Sequence, residues 1–371
     1  MTTISIYQGL TEIPAEVLPL FKNAAAAQGI FLSLPWLQNL AEHALDATEQ
    51  LRIYSVHPQG KPEHARLLLL MRHTANNKPW RMRVLQAHAN FYTSLFGPVA
   101  DVNRSDLGND LMLLAQTIAR ETPRWDMVNL QPLARDTRVF DLLTEALRQN
   151  GMAVQPYFCF GNWYLNTLGR NYDQYLASLP GVLRSTLRRK GKMLDNSGVR
   201  LTLVHVPTQL AQGIADFERV YRLSWKQAEP YPEFIAGLIT TCAEQGWLRL
   251  GIAYLDQRPI AAQLWIVADG VASIYKLAYD EEFADWSVGT VLTGFMMQHA
   301  IDVDRVREVD YLTGDEAYKR DWMSDRRERH GILACNLRSV RGWIGAARHI
   351  AAVRLRNRWH ALRSSRSLRR P

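Results

Sequence analysis

The chain has 371 residues, 47% of them hydrophobic and 22% charged, a composition that builds folded domains and leaves room for two. The net charge is +8, yet Arg338 to Pro371 holds ten arginines and no acidic residue; taking those ten charges from +8 leaves −2, so the basic character belongs to the tail. No run approaches the roughly 18 apolar residues of a membrane span, and Met1 to Gln8 lacks a basic region followed by an apolar one, so the expected location is cytoplasmic.

In chain order, hydrophobic periodicity predicts a helix over 35–44, strands over 50–55 and 66–72, a helix over 106–119, a strand over 127–130 and a helix over 139–149. Asn150-Gly151 is a helix stop, since both residues tolerate the left-handed conformation that ends a helix. Residues 1–151 are therefore expected to form one α/β unit. A second, 152–335, follows with a strand over 153–160, helices over 172–179 and 182–196, a strand over 200–205, helices over 207–224 and 232–244, and a strand over 248–254.

Residues 261–267 and 272–279 read as a hairpin about the turn Asp269-Gly270. An acidic loop, 280–285, leads to Ser287, the expected N-cap of a helix with apolar positions at Val291, Leu292, Phe295 and Met296. Such a helix start, with Gly289 placing no side chain in the way, can hold a pyrophosphate on its free N–H groups. A strand over 309–312 then ends in Gly314-Asp315-Glu316. Beyond it, Val340, Trp343, Ile344, Ala347, Ala351, Leu355, Trp359 and Leu362 recur near helical spacing among the arginines of 336–371. This basic amphipathic segment either lies on an anionic membrane surface or packs on the body with a disordered end.

The order of these elements, with Tyr279-Asp280, then Ser287-Val-Gly-Thr290, then Leu312-Thr-Gly-Asp-Glu-Ala-Tyr-Lys319, resembles the GNAT acyltransferase superfamily, and within it the FemAB-like branch that includes CelD-like domains. The basic run Arg184-Ser-Thr-Leu-Arg-Arg-Lys190 looks like the helix that opens the family domain, and Val288 stands where the family often has proline. The resemblance spans about Tyr164 to Trp322. It implies two GNAT-like units in tandem, mixed sheets flanked by helices, with acyl-CoA, first of all acetyl-CoA, as donor at Ser287, Val288, Gly289 and Thr290. It also implies catalytic roles for Asp315, Glu316, Tyr318 and Lys319. Lys319 follows Tyr318 as in the family's Phe-Lys pair, and would meet the donor or a reacting carbonyl. Asp315 and Glu316 would deprotonate or orient an amine.

Each of these residues has a plainer reading. Asp315 and Glu316 can be a solvated acidic turn, and Lys319 a surface lysine among Arg320, Arg326 and Arg327. Arg184 and Arg188, one helical turn apart, can grip phosphates or flank a solvated helix. Trp225 and Lys226 precede the stiff Glu229-Pro-Tyr-Pro232 turn and are candidates to line an acceptor pocket. Tyr275 and Tyr279 are candidate acids or stacking platforms, or simply core aromatics. Cys159, Cys242 and Cys335 are odd in number and far apart, and are expected to be buried thiols. The scattered histidines show no metal-ligand spacing, and neither a Gly-x-Ser-x-Gly elbow nor a Walker loop is present.

The expected function is N-acyl transfer from acyl-CoA to an amine of a sugar, cell-envelope precursor or polysaccharide intermediate, without a metal. Two alternatives stand beside it. One is FemAB-like aminoacyl transfer from charged tRNA. The other is a non-catalytic accessory role in an exopolysaccharide or envelope machine, docked at the inner face of the membrane through 338–371.

Overall fold

Thirteen strands and eleven α-helices occupy the described residues, 1–75, 80–205 and 207–351, of the computed structural model. The chain begins with β1 (Thr2–Tyr7), α1 (Leu18–Gln28), α2 (Leu34–His43), β2 (Glu49–Pro58), β3 (Leu67–Thr74), β4 (Val84–Ala87) and β5 (Val99–Ala100). It continues through α3 (Leu107–Arg120), β6 (Met127–Ala134), α4 (Arg138–Gln149), β7 (Met152–Asn166), α5 (Tyr172–Ser178), α6 (Gly181–Asn196) and β8 (Val199–Val204). Then come α7 (Leu210–Arg222), α8 (Pro232–Glu244), β9 (Leu248–Leu255), β10 (Arg258–Ala268), β11 (Val271–Tyr279) and α9 (Val288–Gln298). The last elements are β12 (Glu308–Asp310), α10 (Ala317–Trp322), β13 (Asp325–Asn336) and α11 (Val340–Ala346).

These elements fall into two units. The first comprises Met1–Leu34, Leu45–Cys159 and Glu328–Pro371, the second Pro35–Ala44 and Phe160–Arg327. The chain thus changes unit inside β7 and again inside β13, rather than at the expected 151/152 and 335/336. The helix expected at 35–44 joins the second unit because Trp36 meets Phe234 and Tyr275 edge-on, and Asn39 donates to the Phe234 carbonyl.

In the first unit the strand order is β1-β2-β3-β4-β6-β13, antiparallel except for the parallel pair β4–β6, with β5 on β3. Helices α3 and α4 cover it, and Tyr54, Leu69, Leu111, Phe140 and Ile332 meet in its core. Gly151 takes the left-handed conformation expected of a helix stop, with φ of +81°. In the second unit the order is β7-β12-β11-β10-β9-β8, where only β11–β12 is parallel. Trp265, Leu292, Met296, Val309 and Trp322 are buried together there. Apolar burial of this kind supplies the main favourable term of folding.

The hairpin forms as its sequence predicts: Asp269 and Gly270 both take positive φ, +47° and +74°, which two-residue hairpin turns require. The segment after it differs. The expected acidic loop is a 3-10 helix, Glu281–Trp286, because the Asp280 carboxylate accepts from the Glu282 N–H and starts a turn. The strand expected over 309–312 stops at Asp310, since Leu312 lies at φ of +56°. Strands β1, β4 and β13 and helix α1 were not anticipated by the periodicity.

Candidate active site

Strand β11 pairs with β12 over only three residues, Val271–Ser273 against Glu308–Asp310, and then runs six residues further to Tyr279. Past Asp310 the chain stays with β7 instead: the Tyr311 N–H donates to the Trp163 carbonyl at 2.9 Å, and Gly314 bridges to Asn162. The two parallel strands therefore part, leaving a wedge between the end of β11 and the 311–319 segment.

A buried network holds that divergence open. Arg327 donates to Glu308 (2.7 Å), to Asp310 (2.5 Å) and to the Asn162 side-chain oxygen (2.7 Å). The Asn162 amide in turn donates to Asp310 and to the Leu312 carbonyl, and the Leu312 N–H returns to Asp310 at 2.7 Å. Charge-assisted bonds that satisfy every member make such a network rigid.

Helix α9 begins beside the free end of β11. Its first turn is fastened from below by Gln263, 1% exposed, whose amide donates to the Gly289 carbonyl (2.9 Å) and to Thr293 (2.8 Å), while Trp265 donates back to Gln263. The first N–H groups of any helix lack intrahelical acceptors and carry the positive end of its dipole. Ser287 stands at the N-cap position but in the left-handed region, φ +55° and ψ +33°, and its side chain makes no capping bond; the expected side-chain cap is replaced by backbone strain. A Cβ at Gly289 would sit 3.1 Å from the Tyr279 ring, closer than ordinary contact, so the ring would have to give by a few tenths of an ångström. The Tyr279 ring also packs on Trp225 at 4.6 Å.

Lys319 lies across the wedge from these groups and is 4% exposed, not a surface lysine. Its ammonium donates to the Thr313 carbonyl at 2.6 Å, pairs with Glu316 at 2.8 Å and sits 5.6 Å over the Tyr311 ring. Desolvation works against the charge of Glu316, but the hydrogen bond from Lys319, its own N–H and the charges of Lys319 and Lys226 bring its carboxyl below the usual range. Tyr318 is half-exposed, meets Tyr311 edge-on, and burial pushes its hydroxyl up to about 12.

The same neighbourhood holds Lys226, Lys276 and Glu229. Lys276 pairs with Glu229 at 2.5 Å, and Tyr221 donates to Glu229 as well. Lys226 stands 5.4 Å from the Trp225 ring and has no ion pair among the described residues. Burial, then the nearby charge of Lys276, lowers its pKa. Tyr275 makes its ring contact with Trp36 at 5.6 Å.

Asp315 is clamped although its side chain is 43% exposed. Arg326 reaches both its oxygens, the nearest at 2.7 Å, and the Trp163 indole donates to it at 2.7 Å. A Cβ at Gly161 would come within 2.7 Å of this carboxylate. The hydrogen bond from Arg326, then that from Trp163, holds its carboxyl below the usual carboxylate range. A depressed folded-state pKa contributes stability that is present above the unfolded value, about 4, and is lost as pH falls through the folded one. Urea unfolding of wild type and Asp315→Asn should therefore differ at pH 6, and the gap should close as pH falls below about 4. An equal gap at both pH values would show that the carboxylate charge is not what Arg326 and Trp163 hold.

Arg184 and Arg188 come together as expected, one turn apart on α6, and line a groove of about 820 Å³ with Tyr172 and with Val291 and Phe295 of α9. Both are exposed. Cys242 and Cys335 are buried; Cys159 is only half-buried, 3.7 Å from the Gln131 side-chain oxygen, which corrects the expectation of three buried thiols. Among the described residues no group of His, Cys, Asp and Glu is placed to hold a metal, and no helix is long and apolar enough to cross a membrane. Of the predicted basic tail, Val340–Ala346 forms α11, while Leu355, Trp359 and Leu362 lie outside the described residues.

Trp163, Asn162, Gln263, Lys276, Arg326 and Arg327 were missed from sequence. A Gln buried in an apolar strand, Ala261-Ala-Gln-Leu-Trp265, was the one signal available, since a buried amide must have partners.

Residues 182–320 match the family model of the acetyltransferase (GNAT) domain. No curated protein matches the sequence. Among solved structures the chain is similar to FemX, with a TM-score of 0.61 at 12% identity over 90% of this chain and 96% of that one. It is similar also to the C-terminal domain of a candidate lysylphosphatidylglycerol synthetase from Agrobacterium fabrum, TM-score 0.52 at 11% identity over 87% and 92%. A tandem GNAT protein from the clavulanic acid biosynthesis pathway gives 0.51 at 12% identity over 90% and 98%. The parted strands and the domain match agree: residues 182–320 form a GNAT-type acetyltransferase domain, in a chain whose fold is similar to those of FemX and of a tandem GNAT protein.

Proposed function

We propose that the protein moves an acyl group from an acyl-CoA, first of all acetyl-CoA, to the amine of a sugar or cell-envelope precursor that also carries an anionic group. The observation that carries this reading is the wedge itself: it ends at the N-terminus of α9 on one side and at buried Lys319 on the other. A thioester donor fits there, with its phosphates at the N–H groups of Val288, Gly289 and Thr290, where Gly289 leaves the approach clear.

The reaction forms a C–N bond and breaks a C–S bond. The amine loses a proton, attacks the thioester carbon, and the thiolate leaves. The Lys319 ammonium, already held by Thr313 and Glu316, stabilises the oxyanion that develops on the carbonyl. Glu316 is the exposed carboxylate nearest this charge and orients the amine or takes its proton. Tyr318, whose ordinary value of about 10 already keeps it protonated at neutral pH, is pushed further up by burial, to about 12, so its O–H can serve the departing thiolate. Asp315, committed to Arg326 and Trp163, positions the segment rather than titrating.

Lys226 supports the anionic acceptor. Half-buried, close to the charge of Lys276 and without a carboxylate of its own, it gains from a phosphate or carboxylate on the substrate. Thiol release from acetyl-CoA should accordingly be about tenfold more efficient with an amino sugar phosphate than with the neutral amino sugar, through KM, and Lys226→Gln should erase the difference. Equal efficiencies in the wild type would remove the anionic acceptor from the account and leave acyl transfer standing.

A second reading is aminoacyl transfer from charged tRNA, favoured by the exposed Arg184, Arg188 and Arg189 along α6. It requires binding of tRNA that weakens steeply with salt.

A further inference from the structure

Helix α11 docks on the first unit in an inverted way. Its buried residues are Gly342 and Gly345, while its large apolar residues point outward: Val340 is 79% exposed, Trp343 60% and Ile344 59%. An ordinary surface helix hides its apolar stripe and shows its polar one.

The docking is specific. Ser339 caps the helix by accepting from the Gly342 N–H at 3.0 Å, its hydroxyl donates to Asp126, and Arg341 pairs with Asp126 at 3.6 Å. A Cβ at Gly342 would collide with the Asn336 carbonyl, 2.0 Å away, and one at Gly345 would meet Met82 at 2.8 Å. The two glycines thus fix which face looks out. Two residues before Met82, Trp80 is 76% exposed, and Arg81 beside it is exposed too. In sequence the helix is flanked by Arg338, Arg348 and His349, all exposed, and Arg338 to Pro371 carries no acidic residue.

We propose that this face, Val340, Trp343 and Ile344, together with the exposed Trp80 two residues before Met82, is a docking surface for an anionic lipid bilayer. Tryptophans suit the headgroup level, where an apolar ring and an N–H are both accommodated, and the arginines meet the lipid phosphates. A protein partner of matched shape would need an acidic rim to meet the same arginines. The lipid surface supplies that charge along with the apolar layer.

The test is co-sedimentation of the full chain with vesicles of phosphatidylcholine alone and with about one third phosphatidylglycerol. The wild type should partition strongly only to the anionic vesicles, and Trp343→Glu/Ile344→Glu should lower its partition coefficient roughly tenfold or more. Both residues are exposed, so an unchanged unfolding temperature is expected of the variant and shows that the loss belongs to the surface. Failure of the wild type to sediment, equal sedimentation with both vesicles, or sedimentation untouched by the double variant each overturns the proposal. The last outcome would assign binding to the arginines of the tail alone.

Discussion

Replacing Lys319 with methionine should lower kcat/KM about 10²-fold or more while leaving the protein folded. Methionine keeps most of the side chain's length and apolar stem, so the space against Tyr311 stays filled. What disappears is one positive charge at a site 4% exposed, where a charge is worth more than in water. Glu316, at the other end of the pair, is exposed and rehydrates when its partner goes, so the cost in stability is small, about 1 kcal/mol. Steady-state kinetics beside denaturant unfolding separates the two roles. A variant that loses stability and keeps its turnover would make Lys319 a structural lysine.

Gly289→Glu should abolish donor binding measured by calorimetry, with little change in unfolding temperature in the absence of ligand. A carboxylate in the first turn of a helix is not itself unfavourable. Here, however, its Cβ comes within 3.1 Å of Tyr279, and its negative charge would repel the phosphates of a donor bound, as proposed, at the N–H groups of Val288 to Thr290. Gly289→Ala brings the steric part without the charge and should bind more weakly than wild type but more tightly than the glutamate variant. Wild-type affinity in Gly289→Glu would move the donor away from this helix start.

The sequence made the second unit's core legible because its signals are local. Asp269-Gly270 dictates a hairpin, apolar residues at helical spacing mark α9, and Asn150-Gly151 ends α4. What it concealed is long-range. Strand β13 opens with Asp325-Arg-Arg-Glu-Arg-His330, which reads as a charged loop until Arg326 is seen on Asp315 and Arg327 on Asp310 and Glu308. The resemblance marked Lys319 as catalytic, but charge alone could not separate it from the surface cations Arg320, Arg326 and Arg327; its burial comes from Thr313, Tyr311 and Glu316 closing on it. Ser287 had the right residue type for a cap, but the left-handed backbone there is set by the turn from the 3-10 helix into α9. The tail's amphipathic spacing was visible, and only the structure shows that α11 turns its glycines inward and its tryptophan outward.

The most direct measurement is thermal unfolding of the wild-type protein alone and with CoA, acetyl-CoA and a long-chain acyl-CoA. A ligand at 100 times its dissociation constant stabilises the folded state by about 2.7 kcal/mol, a shift well above the noise of the experiment. The account predicts a clear rise with at least acetyl-CoA, lost in Gly289→Glu. No rise with any of the three, at concentrations up to the millimolar range, would contradict donor binding at α9 and leave the tRNA-dependent reading as the one to pursue.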